Sequence, residues 1–527
     1  MRYLPNGKQM KDADTYTIEK IGLPSLVLME RAALETVRTL QEKKIDLSEA
    51  LVVCGSGNNG GDGFAAARIL REEGFHAEVL FVGSEAALSA ECRAQKQIVQ
   101  QLGIPVFTDF PNREYTVIID AIFGVGLSRD VEGRYRTAIE WMNEKKCEKA
   151  AIDIPSGICA ETGRILGVAF RSDITVSMAC VKIGCELFPG KLYAKETVAV
   201  PIGIDTAYFD RREDVYCTYD QGDFQMLLPQ RKPDSHKGDY GKVLMITGSR
   251  GMAGAAFLSA KAAYAVGAGL VQIYTSEENR VVLQELLPEA IISCYREEES
   301  VPHDGDLERL IRWSDVVCIG CGLGTGEFSR RLLKKVIKIT NNGEKENILH
   351  RPCIIDADGL NLLSENIEIL RDVSDVILTP HMREMSRLIR KEIKDISQSR
   401  IDVVKQFTEQ YPVVCVLKDS RTIAAQNGHH PFLNLAGNSA MAKAGSGDVL
   451  AGVISGLAAQ KMNAFAAASV GVYLHACGGD EAQKQKGSYS VLARDLIDGI
   501  EQCIKNAEKV LTDQKDMSDL YKEKEHE

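Results

Sequence analysis

The chain has no uninterrupted apolar run of membrane-spanning length, which argues against a helical membrane protein. Its first ten residues, MRYLPNGKQM, lack an apolar h-region, so no signal peptide is expected. Positive charge is also short: 63 Lys and Arg against 74 Asp and Glu leave a formal net charge of −11. That argues against a general nucleic-acid binder, because phosphate neutralisation needs clustered Lys and Arg. It leaves room for a nucleotide, which backbone N–H groups can hold. No G-x-x-x-x-G-K-[ST] is present, so P-loop chemistry is excluded. The single C-x-x-C, Cys318 to Cys321, has no second pair to complete a zinc site and reads as a buried strand end before a Gly turn. The 14 cysteines are scattered through a long chain, which suits reduced thiols in a cytoplasmic protein.

What is present is a glycine loop between a strand and a helix, LVVCGSGNNGGDGFAAARIL, residues 51–70. Ala50 to Cys54 reads as a strand and Phe64 to Leu70 as a helix. Glycine lets a ligand approach the backbone, and a helix start offers free N–H groups to an anion. Gly55, Gly57 and Gly60 satisfy G-x-G-x-x-G. Asn58, Asn59 and Asp62 exceed what a pyrophosphate loop needs, and a carboxylate there would repel phosphate. A hydride-transferring dehydrogenase wants an acid at the end of the next strand; AEVLFVGSE offers Glu85 only after a Gly-Ser step.

At 527 residues the length prior is two to four domains. Residues 10–43 read as two helices broken at Gly22-Leu23-Pro24. Strand-like runs follow at 51–54, 77–83, 115–124, 149–157 and 174–179, with helices at 63–73, 86–102 and 134–146 between them. A second series runs through 242–248, 269–275, 316–320, 353–359, 376–380 and 413–419, with helices at 253–267, 383–392, 398–410 and 447–460. Apolar strands alternating with helices predict parallel sheets covered on both faces. The expected division is 1–215, 222–508 and a charged, frayed tail at 509–527.

Ligands of open parallel sheets sit beyond the carboxyl ends of strands. Three such ends carry side-chain oxygens: Asn58 to Asp62, Asp120 in VIIDAIFGVG, and Asp153 with Ser156 in AIDIPSG. Convergent oxygens form a hard-cation cage as readily as a phosphate cradle. Either aspartate alone is more simply a cap or turn residue. The set GNNGGDG, DAIFGVG, IDIPSG resembles the YjeF N-terminal domain, the NAD(P)H-hydrate epimerase, over roughly the first 210 residues. The resemblance implies that Asn58, Asn59, Gly60, Gly61, Asp62, then Gly124, Val125, Gly126, Leu127, Ser128, Arg129, Asp130, and Asp153 contact the hydrated nucleotide. It further implies a potassium ion on Asn59, Asp120 and Ser156. The proton that inverts the hydroxyl-bearing ring carbon would be moved by Asp153 or Asp120.

In the second half, Gly445-Ser446-Gly447-Asp448 precedes an apolar helix. Successive N–H groups there can hold a phosphate, and Asp448 stands where a base could take a hydroxyl proton; alone it would read as an N-cap. HKGDYGKVLMITGS, GMAGAA, GCGLGT, DADGLN, TPH and KDSRT occur in order, and the set resembles the ribokinase-like YjeF C-terminal domain, the ADP- or ATP-dependent NAD(P)H-hydrate dehydratase. The resemblance implies Asp448 as catalytic base and Gly447 beside the nucleotide phosphate. It places ADP on Lys418, Asp419, Ser420, Arg421 and Thr422, and on Asn438 to Gly447, and the hydrated nucleotide against Ala255, Gly322 and His381. The family's Thr-Pro-His-Pro-Gly-Glu is here TPHMRE, which keeps His381 and Glu384 and loses the Pro-Gly turn.

Together these resemblances imply two doubly wound α/β domains, an N-terminal Rossmann-like α/β/α sandwich and a C-terminal ribokinase-like domain. The implied function is repair of NADHX and NADPHX. The first domain would interconvert the R and S forms with K⁺. The second would dehydrate the S form with ADP and Mg²⁺, releasing AMP and phosphate. Expected partners are these small molecules and further copies of the chain, with neither nucleic acid nor membrane. The rivals are a ribokinase-like vitamin kinase with an accessory N-terminal domain, which leaves GSGNNGGDG unexplained, and a non-enzymatic binding or oligomerising N-terminal half.

Overall fold

A computed structural model describes residues 1–296, 304–341 and 350–524. The chain divides into two compact units between Cys217 and Thr218. No described helix is long and apolar enough to cross a membrane.

The first helix of the N-terminal unit, α1 (Gly7–Tyr16), starts at a capping box made by Asn6 and Gln9. Gly22, at φ 86°, ends this helical stretch in the left-handed conformation. Helix α2 (Ser25–Glu42) follows and buries Leu28, Met29, Ala32, Ala33, Val37 and Leu40 along one stripe. Seven parallel strands form the sheet: β1 (Glu49–Cys54), β2 (His76–Phe81), β3 (Val106–Phe107), β4 (Val117–Ala121), β5 (Glu148–Ile152), β6 (Ser172–Met178) and β7 (Ala194–Val200). Their order is β3-β2-β1-β4-β5-β6-β7. The chain reverses its direction across the sheet between β1 and β4, and that switch point is where ligands bind in open α/β sheets. Helices α3 (Asn58–Glu72), α4 (Ala90–Gln101) and α5 (Gly133–Glu144) supply the crossovers. β3 and β7 are additions to the five expected strands. β7 exposes Lys195 and Glu196 at the sheet's edge, so its pattern is not apolar enough to announce a strand.

In the C-terminal unit β8 (Lys242–Ile246), β9 (Leu270–Ser276), β10 (Ile291–Tyr295), β11 (Val316–Ile319), β12 (Cys353–Ile355), β13 (Val376–Leu378) and β14 (Val414–Leu417) run parallel. β15 (Ile423–Ala425) and β16 (Phe432–Leu433) continue the sheet antiparallel. The order is β10-β9-β8-β11-β12-β13-β14-β15-β16, with the switch point between β8 and β11. Register aligns Ile246, Ile319, Ile355, Leu378 and Cys415 across five neighbouring strands. The residues just beyond that row therefore emerge side by side. β10, β15 and β16 were not expected. They are short or partly exposed, and turn residues flank them.

Helix α6 (Ala253–Ala265) packs against α8 (Ser446–Ala459). Every residue of α8 from Val449 to Ala459 is buried, as an all-round apolar helix requires. Helix α7 (Met382–Ile389) follows β13 directly, so TPHMRE folds without a Pro-Gly turn. Helices α9 (Ala464–Ser490) and α10 (Ala493–Lys524) close the unit. The stretch expected as a tail is helical as far as Lys524, and residues 525–527 lie outside the described residues.

Candidate active sites

A cavity of about 790 Å³ lies over the switch point of the N-terminal sheet. Its wall includes Asn58, Asn59 and Asp62 at the start of α3, Gly124 to Arg129 after β4, and Asp153 after β5. Asn59 is 8 % exposed, and neither its amide oxygen nor its nitrogen has a hydrogen-bond partner. A buried amide left unsatisfied costs about 1–3 kcal/mol, so this side chain is set up for something that arrives.

Asp120, fully buried at the end of β4, accepts from Ile122 N–H at 3.1 Å and from the Ser156 hydroxyl and N–H at 2.7 Å each. The Ser156 hydroxyl also accepts from Phe123 N–H at 2.9 Å. The two residues thus staple the loops after β4 and β5 together behind the cavity wall. Burial raises the Asp120 pKa to about 6, against those hydrogen bonds. A carboxylate offers about four acceptor positions and a hydroxyl two, so each keeps one for a cation.

Asp153 sits at φ 70°, a conformation a non-glycine residue adopts at a cost. Its Oδ1 accepts from the ammonium of Lys182 and from Met178 N–H at 3.3 Å. Lys182 is 0 % exposed, and its other donors reach Ser177 Oγ at 3.1 Å and the Met178 carbonyl at 2.9 Å. All three ammonium donors are therefore used. A Cβ at Gly124 would stand 3.3 Å from Asp153 Oδ2 and 3.5 Å from Asn59 Cβ, so this glycine brings three strand ends into one wall. Gly60 and Gly61 lie behind it: a Cβ on Gly60 would strike the Gly55 carbonyl, and one on Gly61 the Met29 side chain. Asp130 is exposed and lines none of this cavity.

The second constellation sits beyond the aligned row of the C-terminal sheet. Asp356, 1 % exposed, follows β12 and accepts from Lys418 Nζ and Thr379 Oγ1 at 2.6 Å each. The Cys321 thiol donates to its other oxygen at 3.8 Å. Cys321, Asp356 and Asp448 place their donor atoms within 4.8 Å of one another. Gly447 closes the group: a Cβ there would lie 3.4 Å from Lys418 Nζ and 3.7 Å from Asp356 Oδ2. The ammonium thus faces the first turn of α8, whose free N–H groups suit a phosphate. Burial, then the charge of Asp356, raises the Asp448 pKa to about 6. Burial opposes the charge on Lys418, yet the carboxylates of Asp356 and Glu384 outweigh it and raise its pKa.

Around this core, Gly322 meets Ala255, and its carbonyl accepts from Ser249 N–H at 2.6 Å. His381 caps α7, its Nδ1 accepting from Arg383 and Glu384 N–H at 3.1 Å each. Burial and then Lys418 lower its pKa, which favours the neutral ring. Asp419 is occupied by Arg400 at 2.6 Å, while Ser420 beside it is exposed. Thr422 Oγ1 donates to the Asp419 carbonyl at 3.0 Å, and Arg421 donates to the Leu435 carbonyl at 3.0 Å. Ser446 lies 3.3 Å from Nε2 of buried His475, whose pKa burial pushes down to about 4.

Comparison with known proteins places both halves. Residues 25–184 match the family model described as YjeF-related protein N-terminus, and 243–502 the one described as NAD(P)H-hydrate dehydratase. The chain is 34% identical over 504 residues to the bifunctional NAD(P)H-hydrate repair enzyme of Thermofilum pendens, covering 93% of this chain and 94% of that one. It is 32% identical over 535 residues to the enzyme of that name from Moorella thermoacetica, covering 96% and 97%. The chain belongs to the bifunctional NAD(P)H-hydrate repair enzyme family. A solved structure of ADP/ATP-dependent NAD(P)H-hydrate dehydratase from Bacillus subtilis, co-crystallised with ATP/Mg²⁺, is 27% identical with a TM-score of 0.46; the likeness covers 55% of this chain and 99% of that one.

For a bifunctional repair enzyme, the sequence motifs reach far but miss four side chains. Lys182 lies in ACVKIGCELF, where one lysine in an apolar stretch is the only signal. Asp14 lines the first cavity from α1. Asp356 stands first in DADGLN yet carries no motif chemistry of its own, and His475 sits mid-helix without a partner visible in sequence.

Proposed function

We propose that the N-terminal unit interconverts R- and S-NAD(P)HX and that the C-terminal unit converts S-NAD(P)HX to NAD(P)H with ADP. The observation that carries the second half is Asp448 held at the start of α8 beside the Lys418–Asp356 pair. Asp448 accepts the ring-hydroxyl proton as that oxygen attacks the terminal phosphorus of ADP, and AMP departs. Lys418 and the N–H groups at the start of α8 meet the developing phosphate charge. The phosphate ester then loses phosphate and a ring proton, which restores the C=C bond. Mg²⁺ belongs to this reading as the partner of the nucleotide phosphates, whose charge it neutralises.

In the first unit the hydrated ring lies against Gly124 to Arg129, with Asn58, Asn59, Asp62 and Asp153 around it. K⁺ fits the unsatisfied Asn59 amide oxygen and the spare acceptor positions of Asp120 and Ser156. There it would fix the two stapled loops against the start of α3. Asp153, held by Lys182, is the proton-moving group. Asp120, fully buried and holding the staple through both oxygens, is the weaker choice of the two. The 14 cysteines, none of them in a disulfide, suit a reducing cytoplasm, and assembly of identical chains belongs to the same reading.

One incubation tests both halves: mixed NADHX epimers, ADP, Mg²⁺ and K⁺, followed by NADH absorbance. Complete recovery is expected. Recovery of the S fraction alone would remove the epimerase reading. Phosphate transfer to a vitamin-like alcohol with no NADH formed would replace the dehydratase by a kinase.

A further inference from the structure

The N-terminal cavity holds more acid than its motifs explain. Asp14 of α1 lines it together with Asp62 and Asp153. Asp12, two residues earlier, is held by Arg212 at 3.0 Å. The carboxylates of Asp14 and Asp62 have no hydrogen-bond or ion-pair partner among the described residues. Asn59, 8 % exposed and unpartnered at both ends of its amide, faces the same space. The other charged groups lining the cavity are Lys11 on Asp14's own helix, Asp62 of α3, Arg129 after β4, Asp153 after β5 and Lys182 beyond β6. Burial and then the charge of Asp153 raise the Asp14 pKa, which favours its keeping a proton.

The substrate class says what such a proton is for. A hydrated dihydronicotinamide is the product of adding water across an enamine. The enamine carbon remote from nitrogen takes the proton, so the hydroxyl sits on the ring carbon bonded to nitrogen. That carbon needs no C–H cleavage to invert. Loss of the hydroxyl as water, pushed by the nitrogen lone pair, gives a planar C=N⁺ centre, and water can return to either face. The intermediate is a cation, and the carboxylates of Asp14, Asp62 and Asp153 in the cavity wall stabilise it, Lys182 being committed to Asp153.

We infer that Asp14 is a catalytic acid of the epimerisation, protonating the ring hydroxyl as its C–O bond breaks. The oxygen leaves as water, Asp14 is left as a carboxylate, and the nitrogen lone pair becomes the second bond of C=N⁺. A water then adds to the other face, the C=N⁺ electrons return to nitrogen, and its proton passes to Asp153. The reverse conversion exchanges the two roles. The inference rests on the epimerase reading of this unit.

The test uses the full chain, pure R-NADHX and no ADP, with the epimers separated by chromatography. Asp14→Asn is expected to lower kcat by about 100-fold or more, the usual contribution of a general acid. KM and the calorimetric affinity for R-NADHX should stay within about threefold, as an intact cavity demands, and Asp14→Glu should keep part of the activity. In ¹⁸O-water the parent protein should place one solvent oxygen in the hydroxyl at each inversion. Parent-like kcat in Asp14→Asn, or inversion with the original oxygen retained, overturns the inference while leaving the epimerase reading intact. Failure of the parent protein to interconvert the epimers overturns both.

Discussion

Replacing Lys182 by Met removes a charge that no water reaches. The ammonium loses three contacts at once, to Asp153 Oδ1, Ser177 Oγ and the Met178 carbonyl. Removing one partner of a buried ion pair costs about 3–5 kcal/mol, mostly because the other charge stays buried. Asp153 is 9 % exposed, so little of that penalty is relieved by solvent. For a unit of this size each kcal/mol shifts Tm by about 2–4 °C, which predicts a fall of about 6–20 °C. Calorimetry of the full chain reads it, with heat inactivation of the dehydratase marking the transition of the other unit. The double variant Lys182→Met with Asp153→Asn should regain a good part of the loss. It removes the stranded charge, and Asn tolerates the positive φ at that position. A fall under about 3 °C for the single variant, or additive losses in the double, would show that Lys182 is not the partner holding this carboxylate.

Dehydration should weaken as pH drops below about 6, where Asp448 becomes protonated, and Asp448→Asn should lose about 100-fold or more in kcat while still binding ADP; retained turnover would remove the base. Withdrawing K⁺ should slow epimerisation and spare dehydration, and Asn59→Ala should make the first activity insensitive to K⁺; an undiminished K⁺ response in that variant would place the ion elsewhere. Burial raises the Glu384 pKa to about 7, above its unfolded value, so its protonated form favours the fold and that contribution is lost as pH rises toward 7. Glu384→Gln should therefore raise the urea midpoint more at pH 8 than at pH 5, by about 1–3 kcal/mol of stability; equal effects at both pH values would contradict the direction.

The two parallel sheets and their strand ends were legible because central strands buried on both faces are apolar throughout, as in β1 and β4. The site loops were legible because glycines and oxygen-bearing residues cluster at those ends. β7 was not, since an edge strand carries charge on its open side. Lys182 and Asp356 were not, because a buried charge is set by a partner distant in sequence: 29 residues away for Lys182 and 62 for Asp356. Nor did the sequence separate Asp12 from Asp14, which differ only in the direction each faces from α1. The altered TPHMRE loop needed the structure too: His381 and Glu384 cap each other, and that reciprocal pair starts α7 whatever stands between them.

The ammonium of Lys418 serves two masters. It holds Asp356, and it stands over Gly447, where a phosphate would rest. A nucleotide that draws this charge toward itself leaves Asp356 and Asp448 less shielded from each other. Their pKa values then rise, so near pH 6 a proton enters with the nucleotide and idles Asp448, and the acid limb of the ADP-saturated rate lies above that of the free enzyme. Calorimetric ADP titrations in buffers of differing ionisation enthalpy should record net proton uptake near pH 6 and none in Lys418→Met. At pH values above that limb the co-substrate itself sharpens the base, and hydroxyl activation waits for the phosphate that will receive the oxygen.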